Sequence, residues 1–126
     1  VISMIRKATK DDIEKVSDLL AQSDKLSEKC QVFVLEEDKT IKGCAAIKIV
    51  QHNDSKKCIV ESIAVDDNYR RQGIGKRIFD FLKSYADEQS CNSVELDVKY
   101  DDYDAVDFFA IIGFRPQALN LIMDLK

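Results

Sequence analysis

The residues best equipped for chemistry in this chain lie in the stretch Tyr69-Arg70-Arg71-Gln72-Gly73-Ile74-Gly75-Lys76. It joins an apolar, β-branched run over residues 58–65 to an amphipathic segment over residues 74–86. A strand that passes through a basic, glycine-bearing turn into a helix start makes an anion site. The first N–H groups of a helix have no intrahelical acceptor and sit at the positive end of its dipole. Glycines let that backbone approach a phosphate closely, and flanking arginines add charge. The expected chemistry is capture of a cofactor pyrophosphate by residues 70–76.

Other reactive side chains offer less. His52 is the only histidine and falls in a polar turn over residues 51–57, so a Ser-His-Asp or Cys-His hydrolase is not supported. Cys30, Cys44, Cys58 and Cys91 have no C-x-x-C spacing and read as reduced structural thiols of a cytosolic protein. With no paired ligands around them, no metal site is expected. The net charge of −4 argues against a nucleic-acid partner and makes the basic residues near position 70 a local feature. No apolar run approaches the roughly 20 residues of a membrane span, and no signal pattern opens the chain, so neither membrane nor export is expected. Residues 1–3, ahead of Met4, carry no signal of their own.

The elements that must position the loop follow from periodicity. In 126 residues, 45% hydrophobic and 33% charged, one domain over residues 1–126 is expected. Residues 2–8 form a first strand. Thr9 and Asp12 make a capping box for an amphipathic helix over residues 10–22, with Ile13, Val16, Leu19 and Leu20 on one face. Residues 23–30 are polar and without periodicity. Strands over residues 31–36, 41–50 and 58–65, joined by short polar turns, form an antiparallel meander. In the second of these, Ile41, Gly43, Ala45, Ile47 and Ile49 share a face, and Gly43 suggests a bulge or a close approach.

The helix after the loop carries Ile74, Ile78, Phe81, Leu82 and Tyr85 inward, with Lys76, Arg77, Asp80, Lys83 and Asp87 outward. Residues 93–99 alternate as a strand. Asp101, Asp102 and Asp104 open a further helix in which Ala105, Phe108, Phe109 and Ile112 share a face, stopped by Gly113. A closing pair of strands fits residues 114–117 and 119–125. The order is β-α-β-β-β-α-β-α-β-β, a mixed α/β fold.

Three glycine-loop readings compete. The P-loop pattern fails because Gly75-Lys76 is followed by Arg77 and its first glycine is missing. A dinucleotide-binding domain finds Gly73-x-Gly75 and acids at Glu95 and Asp97, but Ile78 stands where the third glycine belongs, and the preceding strands read as antiparallel. The third reading is a resemblance. Arg70-x-x-Gly73-x-Gly75, preceded by Ser62-Ile63-Ala64-Val65-Asp66, resembles the acyl-CoA loop of the GNAT N-acetyltransferase superfamily. Ile5-Arg6-Lys7-Ala8-Thr9-Lys10-Asp11-Asp12 is similar to that family's opening, and Phe108-Phe109-Ala110-Ile111-Ile112-Gly113-Phe114 to its fourth-helix motif.

The resemblance implies a single-domain GNAT-like fold and an acetyl-CoA-dependent N-acetyltransferase. The strand before the loop would splay from its neighbour. Backbone at Ile63, Ala64 and Val65 would hold the pantetheine arm, and amides from Arg70, Arg71, Gln72, Gly73, Ile74, Gly75 and Lys76 would hold the pyrophosphate. A primary amine would attack the thioester directly in a ternary complex, with Glu61 or Asp97 as general base.

Two positions depart from the family pattern. Phe109 stands where a tyrosine often protonates the leaving thiolate, and Asp102 where an asparagine contacts the cofactor. Tyr103 lies about 240° around the helix from position 109 and does not replace it. An acyl-CoA-binding sensor without catalysis is therefore the alternative. Because residues 23–30 are too few for the second helix that family members use to wall the acceptor pocket, that side is expected to be open. An open side suits a small-molecule, peptide or protein amine, or completion of the pocket by a homodimer.

Overall fold

The computed structural model describes residues 3–20, 29–99 and 101–125. Their elements are β1 (Ser3–Lys7), α1 (Ile13–Leu19), β2 (Gln31–Glu37), β3 (Thr40–His52), β4 (Ser55–Val65), α2 (Ile74–Glu88), β5 (Ser93–Glu95) and α3 (Tyr103–Ile111). One sheet holds all five strands in the order β1-β2-β3-β4-β5. β1 to β4 pair antiparallel, whereas β5 lies parallel to β4. The mixed sheet and antiparallel meander expected from the sequence are present.

Turn chemistry fixes the meander. Asp38 and Lys39 both adopt positive φ, 53° and 64°, as a two-residue hairpin with the right twist requires. Asn53, at φ 53°, opens the next turn, a conformation asparagine tolerates. Thr9 N–H and the Thr9 hydroxyl both donate to Asp12 Oδ2, at 2.7 and 3.1 Å, so the expected capping box forms. It caps a 3₁₀ turn at Lys10–Asp12 that runs on into α1. At the far end of α3, Gly113 takes φ 111°. Phe114 N–H reaches Phe109 O and Gly113 N–H reaches Ala110 O, the paired bonds of a Schellman stop.

Two bulges interrupt the meander, and each changes which face a side chain meets. Between β2 and β3, Leu35 pairs Gly43 but Glu36 pairs Ile41, leaving Lys42 as the extra residue. Between β3 and β4, Ala46 pairs Ser62 but Ile47 pairs Val60, leaving Glu61 extra. An extra residue reverses the inward parity of the strand beyond it. Ile41 therefore joins Val34, Cys44, Ala64, Leu19 and Leu20 on the α1 face, not the face of Gly43, Ala45 and Ile47 expected from uninterrupted alternation. On β4, Cys58 and Val60 face α2 before the bulge, and Ile63 and Val65 do so after it.

The main core lies between the sheet and α2, which buries Ile74, Ile78, Phe79, Leu82 and Ala86. Phe79 and Ala86 fall outside the inward set expected from the sequence. Phe81 and Tyr85, which belong to that set, lie instead at the helix flank, half-buried against Phe33. Phe79 is drawn inward because α3 covers that side: its ring meets Phe109 and Phe114 edge-on at 5.4 and 5.7 Å. Ile13 is exposed, since the 3₁₀ turn rotates it off the face that Val16, Leu19 and Leu20 share. Burial pushes the Cys44 and Cys58 thiols up to about 11, in keeping with unreactive packing groups.

Three expectations are corrected. The helix begins at Ile13 rather than at residue 10, and residues 21–28 lie outside the described set. β5 covers Ser93–Glu95, not residues 93–99, because its ladder to β4 ends at Ile59–Glu95. The described residues hold no strand after α3. Once Phe114 has packed on Phe79, the chain over residues 115–125 stays exposed and finds no ladder partner among them.

Gly43 marks a close approach of sheet and helix. A Cβ there would lie 3.0 Å from Ile74 Cγ2 and Ile78 Cδ1 and 3.1 Å from Ala64 O. At Gly75 the same atom would meet only ordinary contacts, the nearest being Phe108 Cζ at 3.6 Å. Gly43→Ala is expected to lose about 1–3 kcal/mol in urea denaturation by overpacking, while Gly75→Ala should leave stability within about 1 kcal/mol of the parent.

Candidate functional site

The basic loop leaves β4 at Asp66, makes a 3₁₀ turn over Asp67–Tyr69 and enters α2 at Gly73. Gly73 is the helix N-cap and sits in the left-handed region at φ 76°, a conformation open to glycine without strain. Arg71 takes φ 63°, so one non-glycine residue of the loop also lies there. Arg77 N–H is the first to bond within the helix, to Gly73 O at 3.0 Å. The amides of Ile74, Gly75 and Lys76 therefore precede the intrahelical ladder. Arg70, Arg71, Gln72, Gly73 and Lys76 are exposed. Arg70 pairs with Asp67 at 2.8 Å and Lys76 with Asp80 at 3.1 Å, both open to solvent and easily exchanged for another anion. No Cβ-sized neighbour crowds Gly73 within 4 Å. The cradle fits a phosphate.

Both ends of the loop are pinned by side chains that the sequence did not single out. Asp66 is buried; its carboxylate accepts from Lys15 and, at 2.9 Å, from Asn68 N–H. Lys15 first, then that amide, holds the Asp66 carboxyl below the usual carboxylate range. Asp66 N–H donates to Lys42 O at 2.9 Å. Lys42, thrown out by its bulge, sends its ammonium to Glu37 at 2.7 Å and lies 4.6 Å over the Tyr69 ring. Glu37 also accepts from Arg77 at 3.1 Å, which turns Arg77 off the outward face expected for it. One carboxylate thus joins the β2 end, the β3 bulge and the first turn of α2.

The second half of the site is a gap in the sheet. β4 has β5 beside it only at Lys57, Cys58 and Ile59. From Val60 onward β4 keeps its β3 partner but loses β5, so Ile63, Ala64 and Val65 border an opening that leads to the loop. The bulged Glu61 stands at the point of divergence. Its side chain is 14% exposed and pairs with Lys48 at 3.4 Å. Burial first, then the Glu61 charge, pushes the Cys30 thiol up, which places Cys30 in electrostatic reach of that carboxylate. Asp97 lies on the segment that leaves β5 and is exposed. The structure thus brings Glu61 and the backbone of residues 63–65 together at the head of the opening and sets Asp97 apart, beyond the end of the strand. Glu95 is committed to Lys57, at 3.1 Å, and to the Ser93 hydroxyl.

The fourth-helix residues occupy a third place. Asp102 Oδ1 accepts from Ala105 N–H at 3.1 Å and caps α3. Phe109 packs among Phe79, Phe108 and Phe114 rather than over the loop. The ring that reaches the loop is its neighbour Phe108, whose Cζ lies nearest to the Cβ direction of Gly75. Phe108 could have been suspected from its place beside Phe109, but the helix rotation that chooses between them is set by the Phe79 contact. Lys48 and Lys15 had no sequence signal, since their partners lie on other elements. Among the described residues no group of three or more His, Cys, Asp or Glu could hold a metal ion, and no helix is long and apolar enough to cross a membrane.

Comparison with known proteins agrees with this geometry. The profile of the acetyltransferase (GNAT) family matches residues 3–114. A curated Bacillus subtilis (strain 168) protein, provisionally named an acetyltransferase, is 27% identical over 109 residues, covering 86% of this chain and 69% of that protein. The crystal structure of a mutant of the BH1408 protein from Bacillus halodurans superposes with a TM-score of 0.86 at 26% identity, covering 98% of this chain and 99% of that one. AAC(6')-Iy, solved with the bisubstrate analogue CoA-S-monomethyl-acetylneamine, shares the fold with a TM-score of 0.82 at 16% identity, covering 100% and 99% of the two chains.

The pinning carboxylates predict an acid response. Asp12 is held well below the ordinary range by Arg6 first and by Thr9 N–H next, and Asp66 by Lys15. A carboxyl whose pKa is lower folded than unfolded contributes stability fully present above the unfolded value of about 4, and that contribution is lost as pH falls through the folded value. Asp12→Asn and Asp66→Asn should each lower unfolding free energy at pH 7. In denaturant titrations the gap from the parent should close steadily as pH falls below about 4.

Proposed function

Because the chain belongs to the GNAT acetyltransferase family, we propose that it transfers an acetyl group from acetyl-CoA to a primary amine, by direct attack in a ternary complex. The observation that carries this reading is the coincidence, on one strand, of the β4–β5 divergence, the bulged Glu61 and the glycine-capped helix start. A donor laid along residues 63–65 has its pyrophosphate at the amides of residues 70–76 and its thioester near Glu61. The neighbour solved with a CoA bisubstrate analogue of an aminoglycoside supports both a CoA donor and an amine acceptor.

In this reading the loop amides, with Arg70 and Arg71, neutralise the pyrophosphate, and Phe108 closes over the first turn of α2. Glu61 takes the proton of the attacking ammonium, directly or through one water. Lys48 Nζ lies 3.4 Å from its Oε1. The amine lone pair attacks the thioester carbonyl, a backbone N–H at the bulge stabilises the oxyanion, and the C–S bond breaks as the amide forms. The thiolate leaves without a phenol at position 109, since a thiolate is an adequate leaving group near neutral pH. Asp97, exposed beyond β5, is the weaker candidate for the base.

The packing of Phe109 against Phe79 and Phe114 supports a second reading, an acyl-CoA sensor without turnover. Release of free thiol from acetyl-CoA in the presence of free amino acids, polyamines, aminoglycosides and peptide N-termini separates the two. Transfer requires release with at least one acceptor, and binding by thermal shift with no release under any condition favours the sensor. Glu61→Gln is expected to lower turnover at neutral pH by about 10²-fold or more with acetyl-CoA affinity changed less than about threefold; unchanged turnover removes Glu61 from the mechanism. Gly75→Asp, which sets a carboxylate among the loop amides, should weaken CoA binding in calorimetry by about 10²-fold while the fold persists by circular dichroism.

A further inference from the structure

Beside the donor site lies a group of charges on the face of the sheet that α1 occupies, opposite α2. Ile47, Cys58, Val60 and Val94 pack toward α2, so alternation places Lys48, Lys57, Ile59 and Glu95 on the other face. Ile59 stands at their centre. It pairs in register with Lys48 on β3 and with Glu95 on β5, while Lys57 and Glu61 flank it on its own strand. The four charges form two ion pairs, Lys48 to Glu61 at 3.4 Å and Lys57 to Glu95 at 3.1 Å. The two lysine side chains are 38% and 37% exposed, and Ile59 is half-buried. Ile59–Glu95 is the last rung before β4 and β5 separate, so the group lies at the head of the opening.

We propose that this group receives the acceptor, and that the acceptor is a free α-amino acid bound as its zwitterion. The inference rests on the acetyl-transfer reading, which requires the amine at Glu61. An ammonium that takes Glu61 draws it away from Lys48 and leaves a lysine charge without that carboxylate. A simple amine or a polyamine therefore binds at a cost. An α-amino acid returns a carboxylate a few bonds from its ammonium, so one ion pair becomes two: the α-ammonium on Glu61 and the α-carboxylate on Lys48. A peptide N-terminus, whose next carbonyl is uncharged, gives Lys48 no such replacement. A phosphate dianion adds a surplus negative charge to a group that already holds two carboxylates.

The spacing fits a small ligand. Successive same-face residues on a strand lie about 7 Å apart, so a side chain that starts between Lys48 and Glu61 reaches Ile59 within a few bonds. Ile59 offers an apolar surface there, which suits an aliphatic side chain. Transfer then converts the amino acid and acetyl-CoA to the N-acetyl amino acid and CoA. The N–C bond forms, the C–S bond breaks with its electron pair on sulfur, and the ammonium proton passes to Glu61.

The test compares L-leucine with isoamylamine, its skeleton without the carboxylate, with L-leucinamide, which keeps the size and not the charge, and with phosphoethanolamine. Binding of each to the full chain is read by ligand-observed saturation-transfer NMR with excess CoA present, and KM and kcat by thiol release from acetyl-CoA. Leucine should bind at least about tenfold more tightly than any of the others. Lys48→Met should raise the leucine KM about tenfold or more with kcat changed less than about threefold, and should leave isoamylamine within about threefold; Lys48→Arg should restore leucine. Leucine binding without thiol release supports the amino-acid site and overturns the transfer reading alone. Isoamylamine or phosphoethanolamine binding as tightly as leucine, equal losses for leucine and isoamylamine in Lys48→Met, or no leucine binding to the parent overturns the proposal.

Discussion

β4 is hydrogen-bonded along its whole length to β3 but to β5 at only three positions, and the rest of the structure depends on that inequality. A strand inside a sheet engages its backbone donors and acceptors with two neighbours. From Val60 to Val65, β4 has β3 alone as its described neighbour. The bulge at Glu61 falls at the same point. It adds one residue to β4, so that Ile63 and Val65, rather than Ser62 and Ala64, pack on the α2 face beyond it.

The loop after β4 is kept in place from three directions as well as by its own turn at Asp66–Tyr69. Asp66 is held by α1 through Lys15, Tyr69 by the bulged Lys42, and the first turn of α2 by Arg77 on Glu37. Each partner comes from a different element. The loop itself can then remain exposed, with Arg70 paired only to a surface acid. Such an arrangement suits anion capture: the fixed groups are backbone amides and the mobile ones are charges that exchange partners readily. The two bulges divide the work, Lys42 supporting the loop and Glu61 standing at the head of the opening.

The aromatic cluster of Phe79, Phe109 and Phe114 sets the rotation of α3, so Phe108 rather than Phe109 reaches the loop. The same packing anchors the chain at Phe114, just before it leaves the body of the protein. Local burial thus ends where the exposed, strand-patterned segment begins.

The sequence by itself determined the loop, the capping box, the meander with its turns, the Schellman stop at Gly113 and the family to which the chain belongs. These rest on local rules: positive φ at a few positions, an orphaned helix start, alternation along a strand. It identified Glu61, Asp97, Asp102 and Phe109 as positions of interest. Only the tertiary structure decided that Glu61 is a bulge residue paired to Lys48, that Asp97 lies beyond the ladder, and that Asp102 is engaged as a cap. It also decided that Ile41 faces α1 and Phe79 faces inward. The physical reason is common to all of these. A bulge shifts parity without changing residue types, a ladder ends where its partner turns away, and a helix rotates to meet whatever packs on it. Each outcome is set by another element and not by the residue's own neighbours in sequence.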